Sequence, residues 1–91
     1  MTCELIIHSA KHGEQTVLYD AADAHKVEPY TWHLSPGHGT FYAKRNIPRV
    51  DGKRPSPVPM HRDLLDTPKG MFTDHINGNG LDNRRSNIRI C

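Results

Sequence analysis

The stretch from Thr73 to Arg89, TDHINGNGLDNRRSNIR, holds the residues best suited to chemistry. Asp74 and His75 are adjacent. A carboxylate is the kind of oxygen ligand that a hard divalent cation needs. A neutral imidazole near pH 7 can take a proton from water, which suits His75 as a general base. Neighbours on a strand point to opposite faces, so the two converge on one site only where twist or a bulge near a strand end re-aims them. The segment Asn77 to Asn83 is a turn able to supply residues with positive φ, and it returns Asn83 and Asn87 towards His75. An asparagine in that position can orient the imidazole or tie down its loop. Asn77, Asn79 and Asn83 read as side chains that satisfy turn backbone groups. Arg84, Arg85 and Arg89 are suited to holding phosphates. A lone histidine is more often structural than catalytic, and an Asn-Gly turn is usually only a turn; it is the joint pattern that selects.

These residues need elements to position them. Phe72 to Ile76 and Ser86 to Ile90 read as strands on either side of the turn. Met60 to Leu65 has apolar Met60, Leu64 and Leu65 at spacings that suit a short helix, ending before Thr67-Pro68-Lys69-Gly70. Pro48 to Pro59 is a basic, proline-rich connector, and its four prolines exclude a helix interior or a central strand. Thr2 to His8 and Gln15 to Tyr19 read as strands around a His12-Gly13 turn. Asp20 to Val27 reads as a short helix, with Asp20 as its cap and Pro29 limiting its length. Tyr30 to Leu34 and Thr40 to Arg45 read as a hairpin around SPGHG. Tyr30, Trp32, Phe41 and Tyr42 are expected mainly in the core, since aromatics supply much of the area so small a domain can bury. The competing reading places them on an exposed sheet face.

The chain has 91 residues, the size of one domain with a small core. Its longest apolar run is three residues, far short of a membrane span. With 35% hydrophobic residues and a net charge of +2, it is not a disordered composition. The charge is unevenly placed: residues 1–40 sum to −3 and residues 41–91 to +5. The basic half reads as a surface for a polyanion, with Lys44, Arg45, Arg49, Lys53, Arg54 and Arg62 as further phosphate-contacting candidates. Cys3 and Cys91 form no C-x-x-C pair, so a zinc ribbon is not indicated. The first residues lack the basic and apolar regions of a signal peptide, and the expected setting is a reducing cytoplasm with both thiols free.

Asp74 to Arg89, D-H-I-N-G-N-G-L-D-N-R-R-S-N-I-R, resembles the core of the HNH endonuclease family of the phage homing-endonuclease type. Met60-His61-Arg62 and Pro68-Lys69-Gly70 resemble its lead-in. Tyr30-x-Trp32 and Phe41-Tyr42-Ala43-Lys44-Arg45 are similar, more loosely, to the Apetala2-like DNA-binding sheet joined to such nucleases. The resemblance spans residues 14–91 and is specific in 60–89. It implies a small α+β fold: an antiparallel sheet with one or two short helices over residues 1–59, connector included, then an incomplete ββα-metal finger over 60–91. It implies double-stranded DNA as partner, a bacterial host cytoplasm, and phosphodiester hydrolysis with Mg²⁺ or Mn²⁺ (Zn²⁺ or Ni²⁺ in some members). Carried over by position, His75 is the general base, Asp74 the metal ligand, and Asn87 the residue that orients His75 or its loop. His61 takes a structural or phosphate-contacting role.

The family's third signature residue lies on a helix after the second strand, and this sequence reaches Cys91 first. Three readings of that incomplete motif stand: a truncated chain, a degenerate relative that binds without cutting, or a homodimer in which a second copy supplies the ligand. Two other classes compete with an active nuclease. One is a nucleic-acid-binding module without chemistry. The other is a phage protein that binds a host defence nuclease or another protein partner.

Overall fold

The computed structural model describes residues 1–47, 52 and 56–91. Strands β1 (Thr2–Ser9) and β2 (Gly13–Asp20) form an antiparallel hairpin running from Thr2↔Asp20 to Ser9↔Gly13. Strand alternation turns Ile7, Val17 and Tyr19 into the core. A 3-10 turn, Ala21–Asp23, leads into the one-turn helix α1 (Ala24–Val27). Strands β3 (His33–Pro36), β4 (Phe41–Ile47) and β5 (Ser56–Pro59) form a second antiparallel sheet with β4 in the middle. Helix α2 (Met60–Leu64) follows directly. Strands β6 (Thr73–His75) and β8 (Ile88–Ile90) pair antiparallel. Between them β7 (Asp82–Asn83) leaves that pair to run parallel to β2, with Leu18↔Asp82 and Tyr19↔Asn83 in register. The chain is a small α+β fold of short sheets and two short helices. Among the described residues no helix is long and apolar enough to cross a membrane.

Three local features differ from the sequence expectation, each for a physical reason. The strand expected from Tyr30 begins instead at His33, because Trp32 turns inward and its indole Nε1 donates to the Val27 carbonyl at 2.8 Å. The end of the proline-rich connector is a strand, β5. Its position at the sheet edge is where proline's missing N–H is tolerated, and Pro57 and Pro59 lie in it opposite Asn46 and Lys44. The Asn/Gly turn contains the two-residue strand β7. Helix α2 ends with a left-handed residue, Asp66 at φ 48°, where glycine is usual. There Thr67 N–H donates to Arg62 O and Asp66 N–H to Asp63 O, which closes the helix end, and the Asp66 carboxylate takes Lys26 at 2.8 Å.

The core is Ile7, Val17, Tyr19, Val27, Trp32, Ala43, Met60, Leu64, Leu81 and Ile88, drawn from both ends of the chain. Ten side chains are little for three sheets, and charge-assisted forks complete the joints. Arg85 clamps the buried Asp23 through two bonds of 2.9 Å, donates to Leu64 O at 2.8 Å, and its backbone N–H donates to Asp20. Arg45 grips Asp63 of α2 and lies over the Tyr30 ring at 3.9 Å. Arg84 forks onto the buried Asp82.

The Arg85 fork holds the Asp23 carboxyl below its usual range, against the opposing effect of burial. Because the native value lies below the unfolded one, this stabilisation is full above the ordinary Asp value of ~3.9 and is lost as pH falls through the depressed native value. Arg85→Ala leaves a buried carboxylate without its main partner. We expect a loss of about 2–3 kcal/mol at neutral pH, less than for a fully buried pair because Arg85 is half exposed. The difference in urea midpoint between the two proteins should be largest at neutral pH and shrink as pH falls through the depressed native value of Asp23.

Candidate functional site

A cleft of about 390 Å³ opens between β4, the start of α2 and β6. Each wall follows from local structure. Tyr42 and Lys44 share one face of β4 because they are two residues apart, while Ala43 points into the core. Pro59 caps α2 in extended conformation, which puts His61 in its first turn. β6 brings Thr73, Asp74 and His75 to the opposite side, and Gly78 closes one end.

His75 lies at the centre. Its Nε2 is 2.8 Å from Asn83 Oδ1, and the Asn83 Nδ2 points at Met60 Sδ, 3.3 Å away. Asn83 is 0% exposed. A carboxamide oxygen only accepts, so the His75 proton sits on Nε2 and donates to Asn83, which leaves the lone pair on Nδ1. His61 stacks obliquely on His75, with ring centroids 4.3 Å apart, and Tyr42 lies 5.8 Å from each. Burial pushes the His61 imidazole down to about 4, and the neighbouring His75 adds to the effect. His61 is therefore neutral near pH 7, the form in which one ring nitrogen is an acceptor.

The loop below is held by its own side chains. Asn77 Oδ1 accepts from Asn79 N–H, and Asn79 Oδ1 accepts from Leu81 N–H, two successive turns capped two residues on. Asn87 accepts from Asn77 N–H and donates to Asn77 Oδ1 and to Asp82 O. Ile76 N–H donates to Asn87 O at 2.8 Å, directly after His75.

Of the residues singled out from sequence, His75, Asp74 and Lys44 line this one cleft. Asn87 ties down the loop that carries His75 and makes no hydrogen bond to the imidazole; that bond is made by Asn83. From sequence the turn returns both Asn83 and Asn87 towards His75, with Asn87 carried over as the orienting residue; the pairing of β7 with β2 gives that bond to Asn83. Asn77 and Asn79 cap turn backbone groups as expected. Asp74 pairs across the strands with Arg89, through bonds of 3.1 and 3.2 Å. The other arginines are engaged internally: Arg45 with Asp63, Arg84 with Asp82, Arg85 with Asp23, and Arg62 with the carbonyls of Pro68 and Met71. Arg49, Lys53 and Arg54 lie outside the described residues. Tyr42 and His61 are cleft residues whose part in the site had only a weak signal in the sequence.

The donor set can be tested against a divalent ion. Among the described residues no three His, Cys, Asp or Glu side chains lie together as a ligand group. Among them Asp74 is the one carboxylate residue lining the cleft, and Arg89 donates to both of its oxygens. Its pairing with Arg89 is half exposed, the kind of ion pair worth little. A hard cation such as Mg²⁺ commonly takes one or two protein carboxylates and completes its shell with water and phosphate oxygens; Asp74 would be the one carboxylate this cleft supplies to such a shell.

No family model, curated protein or solved structure matches the chain.

The buried His61 has a measurable consequence. Its native value of about 4 lies below the ordinary 6.5 of an unfolded histidine. The unfolded chain therefore takes up the proton first. Stability is complete above about pH 6.5 and falls as pH drops towards about 4, by on the order of 3 kcal/mol. We expect urea midpoints to decline over that interval in the wild type and to flatten in His61→Phe, which keeps the stack on Tyr42 and removes the titrating group. An equal decline in both proteins would assign the effect to other groups.

Proposed function

We propose that this chain is an HNH-like protein that binds double-stranded DNA and hydrolyses a phosphodiester in the cleft between β4, α2 and β6. The observation that carries the reading is the His75–Asn83 bond. A fully buried amide fixes the proton of a cleft histidine on one nitrogen and leaves the other as a base. In this reading His75 Nδ1 takes a proton from the attacking water as the water oxygen bonds to phosphorus, the phosphorus–oxygen bond to the leaving group breaks, and the departing oxygen takes a proton from solvent. Asn83 holds the ring and stabilises the imidazolium that forms, because its oxygen still faces the Nε2 proton. Lys44, on the wall opposite β6, attracts the phosphate. Asp74 would hold a hard divalent cation, which when bound supplies stabilisation for charge growing on the phosphoryl and leaving oxygens. The Asn77–Asn87 network keeps the His75 loop in one geometry, which limits the reorganisation left for the reaction.

One observation favours a second reading, binding without turnover: a single carboxylate is a sparse protein donor set. A plasmid-nicking assay with Mg²⁺, Mn²⁺ or EDTA separates the two. Hydrolysis predicts metal-dependent nicking that falls about 100-fold or more in His75→Ala, with duplex affinity retained. Salt-sensitive duplex binding with no nicking in any metal would select the second reading.

A further inference from the structure

The cleft wall on β4 carries two groups that the packing leaves free. We infer that Tyr42 and Lys44 together form the subsite that holds the phosphodiester, the Tyr42 hydroxyl donating to a non-bridging oxygen and the Lys44 ammonium neutralising its charge. This rests on the reading of the cleft as a DNA site and adds Tyr42 to it as a residue that touches the substrate.

Three observations point there. First, the Tyr42 ring is housed at two positions that admit no side chain. A Cβ at Gly37 would run into ring atoms Cε2 and Cδ2. One at Gly80 would strike the Phe41 carbonyl and the opposite ring edge, Cδ1 and Cε1. Both edges of the ring are thus set by backbone, which fixes it beside His61 and His75. Second, the polar tips of the buried aromatics are satisfied, Trp32 by Val27 O and Tyr19 by Glu28. Tyr42 lines the cleft, and its hydroxyl has no hydrogen-bond partner among the described residues. It is not sealed in the interior either, where the unpartnered side-chain atom is Thr67 Oγ1. Third, arginines elsewhere in the fold are spoken for: Arg45 by Asp63, Arg89 by Asp74, Arg84 by Asp82 and Arg85 by Asp23. Lys44 lines the same cleft two residues from Tyr42 and has no ion-pair partner among the described residues.

A neutral O–H donor beside an unpaired ammonium matches an oxygen that shares a negative charge and gains more on reaction. A phosphodiester presents two such oxygens. Donors aimed at developing charge in a partly enclosed site weigh more on rate than on ground-state binding.

The test uses the whole chain, with folding of each variant checked by circular dichroism. Tyr42→Phe keeps the ring between the two glycines and removes only the hydroxyl. We expect it to weaken binding of a short DNA duplex about threefold and to slow single-turnover nicking about 10-fold or more. Lys44→Met should weaken duplex binding about 10-fold at low salt and lower the slope of log K against log salt by about one, with Lys44→Arg restoring both. A folded Tyr42→Phe/Lys44→Met double variant that binds the duplex like wild type overturns the inference. Wild type that binds with this dependence yet never nicks leaves the subsite standing and removes hydrolysis. Wild type that does not bind the duplex at all removes both.

Discussion

The Arg85–Asp23 clamp is the constraint on which the rest of the molecule depends. Among the described residues ten buried apolar side chains must close three sheets and two short helices, and burial on that scale is marginal for a domain of this length. The guanidinium meets this shortage by binding a buried carboxylate, the Leu64 carbonyl and, through its own backbone, Asp20. In one residue it ties the C-terminal segment to the turn after β2 and to the end of α2. Arg45 does the same between β4 and α2. These are hydrogen-bonded forks with fixed geometry, so they set orientation as well as proximity, and the cleft inherits that orientation.

Within the cleft the same economy recurs in uncharged form. Asn83 is buried, yet its amide is spent on His75 and Met60. Asn77 and Asn87 exchange bonds so that the loop has few free polar groups. Polar groups buried in this way stabilise only when they are satisfied. Their value to the site is that the imidazole has one preferred proton position and one preferred plane. His61, neutral and stacked against it, adds no positive charge beside His75.

Much of this was legible in the residues. The runs Thr2 to His8 and Gln15 to Tyr19 gave the first hairpin, and the spacing of Met60 and Leu64 gave α2. The adjacency of Asp74 and His75 before an Asn/Gly turn marked the place where chemistry gathers. What was not legible depends on partners far apart in the chain. Which of Asn83 and Asn87 meets the imidazole is undecided until β7 is laid beside β2. Arg85 reads as a phosphate contact until Asp23, 62 residues earlier, is found against it. Local pattern reports the period of an element and the residues that break it; it carries no record of which carboxylate a guanidinium will meet. Pro57 and Pro59 misdirect for a different reason. They forbid a central strand but not an edge one, and from sequence the two cannot be told apart.

The parallel pairing of β2 with β7 bears on how the molecule comes together. β1 and β2 meet through a tight local reversal, whereas Leu18 must wait for Asp82 across most of the chain. Joining segments so distant carries a larger loop-closure entropy, and contacts of that span slow folding. Loop-closure entropy therefore favours the first hairpin over the docking of the strand that delivers Asn83 to His75. A chain in which β7 has not met β2 holds every residue of the site without the bond that sets the imidazole.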